Sequence, residues 1–331
     1  MDIDISNNEP EEVNKPEEIK EQEVLVTANI KLLNQYIQAL IINIKPDEIH
    51  SSINLIFDSG AVNGILGIGA ALYLHNLEKM GYFKVEKVSG CSIGSLIALW
   101  YICGCSENMY YYVEALFIYY KKHKNFYIYE SIVRNVVYKL IKDDEGDLMK
   151  LNERLYINYY DSKKCKNKVI SNYKNRDHLI TCILRSSHVP FLTSSEHKYK
   201  GRYIDGVVPH IFSDKNTNLF IKLISFTNPL NCLNAKTEQN IYSRLLHGII
   251  GVNDFFVNKN SDLCSYIHDT TYLINLHLYI RKKFIFFLLY LIEWSIIIKK
   301  HMPECVKETV IYNKIMILSK SYWNSLQNKL V

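Results

Sequence analysis

Ser92 is the residue whose surroundings could do chemistry. It sits in Gly90-Cys91-Ser92-Ile93-Gly94, a G-x-S-x-G, directly after KVEKVSG (84–90) and before the apolar run SLIALWYICG. A strand that feeds a helix through two glycines makes a sharp elbow and lifts the serine hydroxyl above the sheet edge. The glycines let the backbone crowd without a Cβ clash, and the helix starting near Ile93 aims unpaired N–H groups at the reacting centre. A serine held this way is a nucleophile for acyl transfer, and the N–H groups suit an oxyanion. So short a pattern also arises by accident; the apolar strand before it and the apolar helix after it distinguish this one.

A second glycine turn, DSGAVNG from Asp58 to Gly64, follows INLIF (53–57) and points the same way as the elbow. Reading it as a nucleotide loop fails, because G-x-x-x-x-G-K is absent and the G-x-G-x-x-G register breaks, Gly67 and Gly69 being followed by Leu72.

The elements that must carry these turns follow from periodicity. Residues 53–104 read strand, turn, helix, strand, turn, helix. The first of these helices is expected from Gly64 to Met80, stopped by Gly81, with Gly67, Ala70 and Ala71 allowing close packing on the sheet. Upstream, Ile30, Leu33, Ile37, Leu40, Ile41 and Ile44 share one helical face and Pro46 closes the segment. Downstream, 107–120 is amphipathic and ends in KKHK (121–124), which complements the helix dipole; its tyrosines suit core packing better than an acyl channel. Residues 125–175 read as mixed helix and short strands. A helix over 177–190 stops before Pro190, and GRYIDG and NLFIKLISF (218–226) read as strands. Together these predict an α/β fold with a mostly parallel sheet between helices.

Composition narrows the class. The chain has 331 residues, is 48% hydrophobic and carries a net charge of +5, enough for a sizeable core. Its eight cysteines show no C-x-x-C and no zinc spacing, and no signal peptide opens the chain, so a reduced, cytoplasmic setting is expected. Residues 1–23 hold nine acidic side chains against Lys15 and Lys20, which predicts a disordered acidic tail over 1–27 and a clearly basic folded part. A basic body suits an anionic surface. Nucleic acid is not expected, since no helix-turn-helix, zinc finger or RNP pattern is present.

FDSGAVNGILGIGAALYL, VSGCSIGSLIALWYICG and RSSHVPFLTSSEHKYKGRYIDGVV resemble the patatin-like phospholipases in content, order and approximate spacing, over roughly residues 52–228. The resemblance implies a three-layer α/β/α fold. It implies an oxyanion hole at Ser59, Gly60, Ala61, Asn63 and Gly64, and Ser92 as nucleophile in the elbow of Gly90, Cys91, Ile93 and Gly94. It also implies Asp205 as the partner in a Ser-Asp dyad, with neither metal nor cofactor. The chain departs from the family pattern at three places: Ser59-Gly60-Ala61 replaces three glycines, Asn63 replaces a Lys or Arg, and Asp205-Gly206-Val207 replaces D-G-G. Main-chain donors survive such changes if φ and ψ do.

Alone, Asp205-Gly206 would be an ordinary turn dipeptide; pairing with Ser92 gives it a role. Burial would make its carboxylate a stronger base, so that no histidine is needed. The competing α/β-hydrolase order of Ser, Asp, His would enlist His210, but that architecture places several strands before its elbow strand and only one stands here. His75, His188 and His247 show no metal-ligand spacing.

The C-terminal region, 229–331, is expected to be helical and to pack on or extend the catalytic domain, 28–228. Arg281, Lys282 and Lys283 precede FIFFLLYLIEWSIII (284–298), which Lys299, Lys300 and His301 follow. Fifteen helical residues span about 22 Å against a bilayer core of about 30 Å, so spanning is not expected. A core helix and an interfacial helix at an anionic membrane surface both fit. The expected function is lipid acyl-ester hydrolysis acting on phospholipid or a related lipid; the alternative is a weak or inactive patatin-like protein that binds lipid or a partner.

Overall fold

The computed structural model describes residues 31–44, 51–106, 108–143, 145–225, 228–236, 238–267, 272–303, 307–309, 312, 314, 317, 321 and 325. The acidic tail lies outside them. Its centre is a seven-stranded sheet in the order β4-β3-β2-β1-β6-β7, with β5 also pairing β3. The strands are β1 (Ser52–Phe57), β2 (Lys84–Gly90), β3 (Leu155–Asp161), β4 (Lys166–Ile170), β5 (Tyr203–Asp205), β6 (Thr217–Ile221) and β7 (Cys264–Ile267). β3, β2, β1 and β6 run parallel, while β4, β5 and β7 are antiparallel additions.

Register decides where chemistry can occur. Phe57, the last residue of β1, pairs with Gly90 at the end of β2 and with Ile221 at the end of β6, and Gly90 pairs with Ile157 on β3. The three strand ends therefore form one row, and the turns that leave β1 and β2 emerge side by side. Asp205 reaches the same edge from β5, where it pairs with Tyr159 on β3.

Helices cover both faces. They are α1 (31–41), α2 (Gly64–Lys79), α3 (Ile93–Ile102), α4 (Asn108–His123), α5 (Tyr129–Leu140), α6 (Gly146–Leu151), α7 (Arg176–Ser186), α8 (Tyr242–Asn258) and α9 (Tyr272–His301). The large core joins α2, α3, α4, α5, α7 and α8 to one face of the sheet, and α3 is buried from Ile93 to Tyr101. On the other face Ile56, Phe212, Phe220 and Ile267 form a smaller cluster that Leu278 of α9 covers. Ile56 and its neighbours Leu55 and Phe57 thus serve opposite faces, as strand alternation requires. This is a mostly parallel three-layer α/β/α fold.

Several expectations shift in detail. α7 ends at Ser186, before the expected stop ahead of Pro190, and β6 ends at Ile221, well short of Phe226. The small residues of α2 serve helix–helix contact as well as the sheet: a Cβ on Gly69 would lie 2.1 Å from the Leu245 carbonyl oxygen of α8, and one on Gly248 would lie 2.1 Å from that of Leu66. α8 and β7, both beyond residue 228, pack on α2 and lengthen the sheet beside β6.

Candidate active site

β2 delivers the chain to Gly90 and α3 takes it away from Ile93, leaving Ser92 at φ 55° and ψ −131°. An L-residue with that φ is strained by about 1–3 kcal/mol, and such conformations persist where the surroundings over-determine them. The surroundings are backbone. A Cβ on Gly94 would lie 2.4 Å from the carbonyl oxygen of Asp58 and 2.6 Å from that of Phe57, so the elbow is pressed against the end of β1. The Ser92 N–H donates to Ser186 Oγ at 3.0 Å, Ser186 Oγ donates to the Asn158 carbonyl at 2.7 Å, and Ser95 Oγ donates to the Ser92 carbonyl at 2.6 Å.

Asp205 meets this elbow from β5. Its N–H is held by the His188 carbonyl at 3.0 Å. Its Oδ1 accepts the Val207 N–H at 2.7 Å and the Cys91 thiol at 3.3 Å. The Cys91 bond ties the residue beside Ser92 to this carboxylate. Burial raises the Asp205 carboxyl to about 6, opposed by its neighbours Ser92, Val207 and Cys91 and by the charge of Arg281. A carboxylate at that value is a far better base near neutral pH than an exposed one. Burial pushes the Cys91 thiol well above its usual range, with the Asp205 charge adding to the shift, so the sulfur keeps the proton it donates to Asp205.

The glycine turn presents its residues unequally. Ser59 donates its N–H to Asp58 Oδ1 at 2.9 Å and its hydroxyl to the Val207 carbonyl at 2.8 Å. Asn63 donates its N–H to the Gly60 carbonyl at 2.8 Å and its side chain to the Leu223 carbonyl at 2.8 Å, and it accepts from Arg244 of α8. Gly64 starts α2. The N–H groups of Gly60 and Ala61 carry no hydrogen bond to the described residues. Ala61 has φ 44° and Val207 has φ 67°, so both turns hold left-handed backbone without a glycine there.

Arg281 is a member of this neighbourhood that no local sequence pattern signals. Its Nη1 and Nη2 donate to Asp58 Oδ2 at 2.8 Å and Oδ1 at 2.6 Å, and Nη2 donates to the Val207 carbonyl at 3.1 Å. Both side chains are buried. Removing one partner of such a pair costs about 3–5 kcal/mol, because the other charge stays buried. His210, in contrast, stacks on Tyr156 at 5.6 Å and meets Phe212 edge-on, bonded to neither Ser92 nor Asp205 among the described residues.

An apolar slot of about 40 Å³ opens at Ser92 between Ala61, Leu116, Phe126, Tyr129 and Leu192. A further space of about 20 Å³ continues it past Ile65, Val113 and Phe117. α4 therefore lines the slot with Val113, Leu116 and Phe117, while Tyr110 packs edge-on against Trp100 and Tyr120 stacks on Phe126. On the other side of the 187–193 segment, α9 and β3 enclose about 490 Å³ between Phe286, Leu289, Tyr290, Tyr160, Pro190 and Lys283. Among the described residues no group of three or more His, Cys, Asp or Glu could hold a metal ion.

A serine on a strained elbow, a buried carboxylate bonded to the elbow and two free amides on the neighbouring turn meet at one edge of the sheet, an arrangement able to carry out acyl transfer. Residues 55–215, which contain all three, match the model of the patatin-like phospholipase family, and this stretch is a domain of that lipid acyl hydrolase family. No curated protein matches the chain.

Proposed function

We propose that the protein is a serine lipid acyl hydrolase of phospholipase A or lysophospholipase type, with Ser92 as nucleophile and Asp205 as base. The observation that carries this is a serine on a strained elbow at the mouth of an apolar slot, with the elbow's own Cys91 thiol bonded to the buried Asp205 carboxylate. Asp205 takes the proton as Ser92 Oγ attacks the ester carbonyl carbon. The Gly60 and Ala61 N–H groups receive the oxyanion, while Ser59, Asn63 and Gly64 hold their turn. Collapse of the tetrahedral intermediate breaks the ester C–O bond, and the proton on Asp205 passes to the departing alcohol oxygen. Water, deprotonated by Asp205, then attacks the acyl-Ser92 carbonyl; the bond from that carbon to Ser92 Oγ breaks, Oγ takes the proton back from Asp205, and the carboxylic acid leaves. A fluorophosphonate probe tests the assignment: it labels Ser92, and labelling and lipid-ester hydrolysis both vanish in Ser92→Ala. Equal labelling of the two proteins would mean that another serine reacts.

The second reading is a weak or silent lipid-binding or partner-binding protein. It is favoured by Asp205 Oδ1, which already accepts from both Val207 and Cys91, and by the small volume of the slot. Folded wild-type protein that neither labels nor hydrolyses any ester would select it.

The substrate is a phospholipid or other lipid ester met at a membrane surface. Phe284, Phe287, Leu291 and Trp294 on α9 are exposed, and Lys282, Lys283, Lys299 and Lys300 flank that apolar run. Each basic residue near anionic lipid contributes about 1 kcal/mol. No helix of the described residues is long and apolar enough to cross a membrane, which suits α9 to peripheral contact.

A further inference from the structure

Two turns of the site hold backbone angles that their own side chains disfavour. Ala61 at φ 44° and Val207 at φ 67° occupy the left-handed region, and for a β-branched residue such as valine this is a genuine outlier. Such angles last only where other contacts fix them. One side chain contacts both turns. The Arg281 guanidinium grips the Asp58 carboxylate with two nitrogens, and Asp58 Oδ1 also accepts the Ser59 N–H. The same Nη2 reaches the Val207 carbonyl, which the Ser59 hydroxyl also contacts. The two turns, separated by more than 140 residues of sequence, are thereby tied to each other and to α9. Only a planar fork bonds a carboxylate through two nitrogens and still serves a second turn; a lysine ammonium lacks that shape.

We infer that Arg281 is a positioning residue: from α9 it holds the Asp58–Ala61 and Asp205–Val207 turns so that the Gly60 and Ala61 amides and the Asp205 carboxylate stay aimed at Ser92. The role rests on the assignment of Ser92 and Asp205 given above. It also joins α9 to the chemistry. The residue that seats the turns lies on the same helix as the exposed Phe284, Phe287 and Trp294.

The test uses the full chain with Arg281→Gln and Arg281→Lys, each alone and in an Ala61→Gly/Val207→Gly background. Hydrolysis of a small soluble ester and amide hydrogen exchange are measured on all of them. Both arginine variants are expected to lose about 10²-fold in kcat, the size of a lost oxyanion donor, with KM within about threefold of wild type. Exchange should rise about tenfold or more over 58–62 and 205–208 while α2 and α3 keep their protection. Glycine needs no clasp to hold a positive φ, so the kcat loss caused by Arg281→Gln should shrink in the glycine background. An unchanged kcat would overturn the inference. So would a loss that comes with uniformly faster exchange and is as large in the glycine background, since that would make Arg281 a general strut. If wild type hydrolyses nothing, the acyl hydrolase reading fails by itself, and exchange decides the clasp: local opening of the two turns upholds it and unchanged exchange refutes it.

Discussion

α3 and α9 are both rich in large apolar residues, yet they end in opposite surroundings. Every residue of α3 from Ile93 to Tyr101 is buried, whereas Phe284 and Phe287 of α9 are each 57% exposed and Trp294 is 52% exposed. α3 lies under α2 and α7 against the middle of the sheet. α9 uses one face, with Leu278 and Arg281 buried, to cross from β7 toward β3, and turns a second apolar face outward. Hydropathy therefore says that a segment favours leaving water, and topology says what covers it. Large exposed apolar patches on soluble proteins mark surfaces that meet another apolar phase or partner.

The sharpest break of this contrast is a single substitution on each helix. Gly94→Ala forces a Cβ into the backbone at the end of β1, costing about 3 kcal/mol or more, and should abolish the cooperative melting transition along with ester hydrolysis. Trp294→Ser on α9 should move stability by no more than about 0.5 kcal/mol. If the two changes lower the melting temperature equally, α9 belongs to the core after all.

Next in size is the base. Asp205→Asn keeps the shape and removes proton transfer, so kcat for a soluble ester should fall by about 10² to 10⁴, while His210→Ala, whose ring packs on Tyr156 and Phe212, should stay within about threefold. A crippling histidine change with a mild aspartate change would sink the dyad.

The pH profile follows from the same burial. With the Asp205 carboxyl near 6, kcat should rise about tenfold per unit below that pH and level off above it. The stability sign is opposite. A folded carboxyl raised above its unfolded value of 3.8 favours folding at acidic pH, and that contribution is lost as pH climbs toward 6. Asp205→Asn should therefore melt higher than wild type at pH 7. An acid limb near pH 4 would mean that Asp205 is not the titrating base.

Two smaller effects probe the outer helix and the strained turn. Sedimentation with vesicles should be stronger for anionic than for neutral lipid, weaken with salt, and drop in Phe287→Ser/Trp294→Ser while soluble-ester hydrolysis is retained; loss of both together would return α9 to the core. Ala61→Gly relieves a left-handed alanine and should raise stability by about 1 kcal/mol in a denaturant titration. A loss of that size would show that the alanine methyl matters more to the slot than its φ costs.

Residues 53–104 were legible because two strands, two glycine turns and two apolar helices announce themselves locally. The register that aligns Phe57 with Gly90 then follows from parallel pairing. The rest depended on distance in sequence. Nothing near Gly69 announces that the Leu245 carbonyl will lie against it, and β7 is too short and too polar at Ser265 to stand out as a strand. Alanine at 61 and valine at 207 hide the left-handed backbone that glycine would have advertised. The basic Arg281-Lys282-Lys283 run reads as one membrane-facing cluster, yet its first member is buried on Asp58. Only the fold separates an internal charge from a surface one.

That buried charge also sets an order in time. A ribosome releases the elbow, the glycine turn and Asp205 long before residue 281 is made, so a nascent chain can assemble the sheet edge while lacking the group that ties its turns together. If Arg281 completes the site, hydrolytic competence arrives late in synthesis, after nearly all of the sheet has emerged. On that proposal a fragment that ends before α9 carries Ser92, Asp205 and the 58–64 turn and is still a poor enzyme.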